Sequence, residues 1–439
     1  MLTWLFTKTP LFLFTQSFWR DEAFSYFMAK KSILEIILST AKDFSPPLYY
    51  IVLHYWMKVF GSTEIAIRSL SLVFFWATIY VAFLFLNDIF KIKLKKSFFY
   101  LIFFIINPLL LYYAFEARMY TMFAFFASLS YYAFFKKDYR LYLLSSIAGL
   151  FTQYYMLLVI FSQLFYLIIN KKSAEGFKKN IIYITLFVFL PWFVYFLAQN
   201  GFPSSFWISK PQFKDIFGLL GVVYTGNEYS FYGNTFIQAI YQNLFYSSIV
   251  LSLITVTGIF LYVKKFTPKD KVNFQLLFIW GIGIAAFVGL ISFIKPLYFP
   301  RYLIFATVGL LLLAVFVLEK INIYFRLFLI VVLMTLTFNY QKLQIEYRKK
   351  TDLRKALKEI QIIAGKNDLI YTNDLDFFTA QYYFDENRVF IYGKSYKEIP
   401  TYNGKTLISN EKVASTLPFY PQKAFILKSN GDYTISAMY

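Results

Sequence analysis

Long apolar runs separated by short clusters of lysine and arginine limit the fold of this chain more than any other feature. A helix crosses a bilayer in roughly 20 mostly apolar residues. Runs of that kind fall at 64–87, 97–115, 118–135, 141–154, 155–170, 180–198, 236–263, 272–294, 301–318 and 323–340. The runs at 141–154 and 155–170 are short and meet at Gln153-Tyr154-Tyr155, so the alternative is one long kinked helix with that polar point buried in protein. Residues 2–19 are also apolar but are interrupted by Lys8 and Pro10, and read as a shortened first span. With no small-residue cleavage site after it, this run is expected to stay as an anchor if it inserts. Because 59% of the 439 residues are hydrophobic and 15% charged, the apolar surface exceeds what one water-soluble core hides. The expected fold is an all-α polytopic membrane protein with about 10 to 11 transmembrane helices.

The net charge of +20 does not form a continuous basic face of the kind that binds nucleic acid. Instead the cations sit between the apolar runs, where they set orientation, since basic loops next to spans stay in the cytoplasm. Alternate loops carry Lys91, Lys93, Lys95 and Lys96; Lys136, Lys137 and Arg140; Lys171, Lys172, Lys178 and Lys179; Lys264, Lys265, Lys269 and Lys271; and Lys320 with Arg326. That side is expected to be cytoplasmic. Residues 20–63, the loop at 199–235 and the C-terminal tail then lie outside. The chain has no Cys and one His, His54, so disulfides, thiolate nucleophiles and zinc sites built on these residues are excluded.

From about 341 the composition shifts to Asp, Asn, Lys and Tyr with short apolar stretches. Residues 341–439 therefore read as a small soluble α/β domain, with residues 1–340 as the membrane domain. An amphipathic helix near 346–364 and strands at 369–372, 389–392, 406–409, 424–428 and 433–437 are expected there.

Four external segments carry chemistry. Asp21 and Glu22 form an acidic pair directly after the first apolar run. Ionisable groups at the membrane surface are costly unless paired or functional, although acids also suit a helix N-terminus. Asp43 precedes Ser45-Pro46-Pro47-Leu48-Tyr49-Tyr50, and the paired prolines start an amphipathic helix running through His54 to Gly61. That helix is expected along the outer interface, with Tyr49, Tyr50, Tyr55 and Trp56 at headgroup level. His54 reads first as a packing or hydrogen-bonding residue and second as a substrate contact. Glu116 and Arg118 lie two apart, so on a helix each must find its partner elsewhere. Finally, Lys295 and Arg301 bring two cations to the outer side, where positive charge is otherwise scarce. An arginine fork there suits a lipid phosphate as well as an ordinary headgroup.

In this order, the acidic pair, the Pro-Pro-Leu-Tyr-Tyr helix ending at Phe60-Gly61, Glu64 with Arg68, Glu116-Ala117-Arg118-Met119-Tyr120, Tyr154-Tyr155, Pro191-Trp192 and Arg301-Tyr302 resemble one family. It comprises the bacterial relatives of protein O-mannosyltransferases and lipid A aminoarabinose transferases, glycosyltransferase family 39 of the GT-C class, and the likeness covers residues 16–310. The resemblance implies a GT-C fold and an inverting transfer of a sugar, hexosyl or mannosyl in type, from a polyprenyl phosphate to a hydroxyl of a protein, lipid or glycan on the outer face of the plasma membrane. It implies Asp21 as the catalytic base, with Glu22, Glu116 and Asp43 in support. Arg301, Arg118 and Lys295 would hold the donor phosphate, and Tyr49, His54, Tyr155 and Tyr302 would touch substrate. No cofactor or bound metal is implied. Ser45 stands where the eukaryotic mannosyltransferases have His before the proline pair, which leaves the acceptor class open. One carboxylate and a group of cations suffice for this chemistry, because a glycosyl phosphate carries its own leaving group. A transporter of lipid-linked sugar would more often hold its charges at mid-membrane. A non-catalytic scaffold whose tail binds a partner is the third reading.

Overall fold

The computed structural model describes residues 2–170, 180–200, 208–228 and 238–439. Lys171, Lys172, Lys178, Lys179 and residues 201–207 and 229–235 of the 199–235 loop lie outside the described residues. The first apolar run does not form one helix. It gives α1 (Leu2–Lys8) and α2 (Phe12–Thr15), because Pro10 between them has no N–H to continue the ladder. Three helices follow before the first long span: α3 (Arg20–Lys30), α4 (Ile33–Ala41) and α5 (Leu48–Phe60). A reciprocal Ser32 and Glu35 capping box starts α4. Pro47 caps α5, and Gly61 ends it at φ +82°, a conformation that a Cβ would oppose. The expectation that Tyr49 and Tyr50 sit among headgroups is wrong, since both are buried in protein; Tyr55 is exposed, and half-buried Trp56 donates to the Ala66 carbonyl at 2.9 Å.

Long helices build the body. α6 (Glu64–Leu84) continues through a π turn, Phe85–Ile89. α7 (Leu94–Ile105) and α8 (Pro108–Ala114) meet at a 72° bend. There Asn107 Oδ1 accepts from the Leu109 and Leu110 N–H groups and opens the second helix ahead of Pro108. Next come α9 (Tyr120–Lys136), α10 (Tyr139–Leu150), α11 (Met156–Ile169), α12 (Asn180–Asn200), α13 (Leu219–Thr225) and α14 (Gln238–Lys264). α15 (Pro268–Phe278) passes through a π turn into α16 (Ile284–Ile291), and α17 (Ile304–Leu318) and α18 (Ile323–Tyr347) complete the bundle.

Among the described residues six helices are long and apolar enough to cross a membrane, or seven if the bent α7 and α8 pair is one span. The runs at 118–135, 141–154 and 155–170 are helical as α9, α10 and α11, yet each is shorter than a full crossing, so the expected 10 to 11 is not reached on length. The turn at Phe151–Tyr155 separates α10 from α11, so the two short runs are two helices rather than one kinked helix. α17 is buried along its whole length and forms the axis of the bundle. Gly309 lets the Trp280 ring lie against it, where a Cβ would stand 2.6 Å from that ring. Phe187, Val256 and Phe328 point outward from α12, α14 and α18, as lipid-facing side chains do.

Among the described residues the basic loops gather at one end. Glu319 binds Lys96, Tyr100 and Arg326, Lys320 reaches Asp270 at 2.7 Å, and Lys136 lies 4.0 Å from Asp88. The loops at 115–119, 151–155 and 295–300 are at the other end, with α3 to α5. A small α/β unit sits on that second end, built from α19 (Leu353–Ile363), β1 (Leu369–Thr372), α20 (Phe377–Tyr383), β2 (Val389–Tyr392), β3 (Val413–Ala414), β4 (Ala424–Leu427) and β5 (Tyr433–Ser436). The sheet order is β3-β2-β1-β4-β5, parallel except for β5. The helix expected at 346–364 is divided, because α18 runs on to Tyr347 and Asp352 caps a new helix. Residues 406–409 are not a strand. Thr406 Oγ1 donates to the Ser39 carbonyl of α4, which draws the segment out of the sheet and onto the helical body.

Candidate active site

Asp21 and Glu22 share the first turn of α3, and successive helical residues point about 100° apart. The two acids therefore diverge. Glu22 turns inward, where Arg68 Nε and Nη2 each donate to one of its oxygens at 2.7 Å. Lys350 Nζ adds a bond at 2.8 Å and the Ala117 N–H another at 3.0 Å. Burial pushes the Glu22 carboxyl up, but Arg68 and Lys350 outweigh it and hold it at about 2. Arg68 also donates to the Phe14 and Gln16 carbonyls, so this pair anchors the chain that leads into α3.

Asp21 turns the other way, into a cavity of about 310 Å³. Its Oδ1 accepts from Arg20 Nε at 3.1 Å, and its Oδ2 lies 3.8 Å from Arg301 Nη1. Arg118 Nη1 donates to the Asp21 carbonyl at 3.2 Å. Burial raises the carboxyl, yet Arg118, Arg20 and Arg301 together hold it well below the ordinary carboxylate range. The 3₁₀ turn Pro300–Leu303 at the head of α17 carries Arg301, which is buried. Its guanidinium stands between Asp21 and Glu228, whose Oε1 is 4.0 Å from Arg301 Nε. Glu228 is itself held by the Tyr113 hydroxyl at 2.7 Å and Arg348 at 3.0 Å.

Asp43 occupies another part of the cavity wall. Burial pushes its carboxyl up to about 6, and the charge of Asp21 adds to this, against the pull of Arg118 and of the Phe44 and Ser45 N–H groups. Lys295, Tyr155 and Tyr302 complete the group that the structure brings together with Asp21, Arg118 and Arg301. The Tyr155 and Tyr302 rings pack 5.1 Å apart. A carboxylate ringed by cations, with aromatic walls, is equipped to take a proton from one reactant and to hold a phosphate on another.

Four expected site residues lie outside the cavity lining. Glu22 is buried behind it. Glu116 accepts from Trp19 Nε1 at 3.1 Å, and burial raises its carboxyl against the opposing charge of Lys350, 3.9 Å away. Tyr49 and His54, expected to touch substrate, are placed elsewhere: Tyr49 is packed against Tyr50 inside the protein, and His54 Nδ1 bonds the Ala29 carbonyl at 2.8 Å, tying α5 to α3. Sequence reasoning missed Arg20, although it adjoins Asp21. It also missed Tyr402, Asn403 and Gly404, which reach the cavity from the α/β unit and carry no sequence signal beyond a glycine.

No protein-family model matches the sequence, and no curated protein matches it. Solved structures do match in fold. ArnT from Cupriavidus metallidurans in the apo state aligns with a TM-score of 0.63 and 11% identity, over 97% of this chain and 90% of that one. The same protein bound to undecaprenyl phosphate aligns at 0.61 and 10% identity, over 97% and 91%. The shared course covers the α/β unit as well as the helices, and it falls on the lipid A aminoarabinose transferases, one of the groups that the ordered motifs resemble.

Proposed function

We propose that this protein is a membrane glycosyltransferase that moves a sugar from a polyprenyl phosphate to a hydroxyl acceptor at the outer face of the plasma membrane. The observation that carries the reading is the carboxylate of Asp21 in one cavity with Arg118, Arg301 and Lys295. The undecaprenyl phosphate of the ArnT crystal structure supports the donor class. The basic loops at the far end support an outer position for the cavity, and so for the α/β unit beside it. In the reaction Asp21 takes the acceptor proton as the hydroxyl oxygen attacks the anomeric carbon. The bond from that carbon to the phosphate oxygen breaks, and polyprenyl phosphate leaves with the electron pair. Attack opposite the leaving group inverts the anomeric centre. Arg118 and Arg301 stabilise the charge that gathers on the departing phosphate.

The charge that holds the Asp21 carboxyl low comes from the same arginines that face the cavity. A bound phosphate takes up that charge, and the basicity of Asp21 rises toward that of an ordinary carboxylate. The test is a set of labelled sugars on undecaprenyl phosphate, presented to the protein in vesicles. Transfer by the wild type, with Asp21→Asn reduced at least ~100-fold in kcat while still binding undecaprenyl phosphate, is the expected result. Full transfer by Asp21→Asn overturns the assignment of the base. Translocation of the labelled lipid without transfer makes the protein a transporter instead.

A further inference from the structure

The α/β unit reaches into the cavity through one loop. Gly404 holds φ +78°, and a Cβ there would stand 2.7 Å from the Phe24 ring and 2.8 Å from that of Phe378. Phe24 belongs to α3, the helix of Asp21, so the glycine lets this loop press onto that helix. The residue before it makes a directed contact: Asn403 Oδ1 accepts from Arg20 Nη1 at 2.9 Å. Its amide then donates to Asp374 Oδ2 at 2.8 Å, and Lys394 donates to the other Asp374 oxygen at 2.7 Å. Asn403 is thus oriented from behind, within its own unit, and is 4% exposed. Arg20 donates its Nε–H to Asp21 Oδ1.

We propose that Asn403 is a positioning residue for Asp21: it locks the Arg20 fork against one carboxylate oxygen, so that the reacting carboxylate is aimed only when the α/β unit is seated. The inference rests on the reading of Asp21 as the base. Its physical content is the series Lys394, Asp374, Asn403, Arg20, Asp21, in which each group fixes the next and the planar guanidinium transmits a direction as well as a charge. The charged and titratable groups around Asp21 are Arg20 on its own helix, Arg118 just before α9 and Tyr120 at its start, Arg301 and Tyr302 at the head of α17, Asp43 after α4, and Tyr155 and Lys295 in the cavity wall. Releasing Arg20 removes one of the three cations that hold the carboxyl low. The Asp21 proton is then held more tightly.

The test uses full-length Asn403→Ala, Arg20→Gln and the double variant in vesicles, with two readouts. In the first, dicyclohexylcarbodiimide, which reacts with protonated carboxyls, is applied at pH 5 and labelling of Asp21 is measured by peptide mass spectrometry. Asn403→Ala is expected to label at least about threefold faster than wild type, Arg20→Gln faster still, and the double variant no faster than Arg20→Gln. In the second, the acid limb of the transfer rate moves to higher pH in both single variants, with kcat reduced roughly tenfold and donor KM little changed. Wild-type labelling and an unshifted acid limb in a folded Asn403→Ala overturn the proposal, as do effects that multiply in the double variant. Asn403→Ser, too short to reach Arg20, replaces the alanine variant if that one does not accumulate. The labelling arm reads the coupling even where no sugar is transferred, so failure of the proposed function is distinguished from failure of this inference.

Discussion

Arg68 grips both carboxylate oxygens of Glu22 at 2.7 Å, and neither side chain touches solvent. This pair stands one residue from Asp21 and does a different job, holding together the entrance to α3 rather than facing a reactant. Breaking a buried pair strands the remaining charge at a cost of about 3–5 kcal/mol. Glu22→Ala and Arg68→Ala are therefore each expected to lower the unfolding temperature in detergent, with the double variant losing less than the sum. The carboxyl of Glu22 is depressed to about 2, so its contribution is complete above the unfolded value near 4.5. It is lost as pH falls from there toward 2, and the wild-type advantage over Glu22→Gln should shrink across that window.

Asp43 has the opposite sign. Its carboxyl is raised to about 6, so the folded state holds a proton that the unfolded chain has already released. The protein accordingly loses stability as pH rises from about 4 to 6, and the loss levels off above that. Asp43→Asn should stabilise the fold at pH 7 to 8 by about 1–3 kcal/mol, raising the unfolding temperature there, and make little difference at pH 4. A thermal melt series against pH measures this directly, and equal melting temperatures at pH 8 refute it.

The three cations proposed to hold the donor phosphate are not equivalent. Arg118 and Arg301 are buried, while Lys295 is exposed. Arg301→Ala is expected to weaken undecaprenyl phosphate binding by roughly 1.5–3 kcal/mol, about 10- to 150-fold. Lys295→Ala should cost under about 1 kcal/mol, because an exposed ammonium is screened by water and salt. Equilibrium binding with the two variants side by side separates the roles, and equal losses contradict the ranking.

A chain with no native Cys permits a clean test of sidedness. Asn430 is exposed on the α/β unit, and Lys137 is exposed at the basic end. In intact cells a membrane-impermeant maleimide should label Asn430→Cys and spare Lys137→Cys, with both labelled after lysis. The reverse pattern places the cavity in the cytoplasm and removes the proposed outer-face reaction.

Asp21 and Arg301 were legible in the sequence because each violates a local rule, one an acid at a membrane surface, the other a cation on the side where topology makes cations scarce. Glu228 and Lys350 broke no such rule, since acids and lysines outside the spans are ordinary. The place of Tyr49 and His54 outside the cavity lining was hidden for a related reason. Their spacing placed them on α5, but only the packing of α5 onto α3 buries Tyr49 and ties His54 to the Ala29 carbonyl. The contact between Arg20 and Asn403 joins residues 383 apart and had no local trace at all.

What the amino-acid order determined by itself was the set of apolar helices and the alternation of basic loops, since both follow from the transfer of short segments between water and lipid. It also determined that Asp21 and Glu22 diverge, because adjacent residues on a helix must. Which acid meets the cavity and which is sealed behind it was decided only in three dimensions. The rotation of α3 depends on Arg68, Lys350 and the Ala117 N–H, which come from distant parts of the chain, and a buried carboxylate turns to where its partners are.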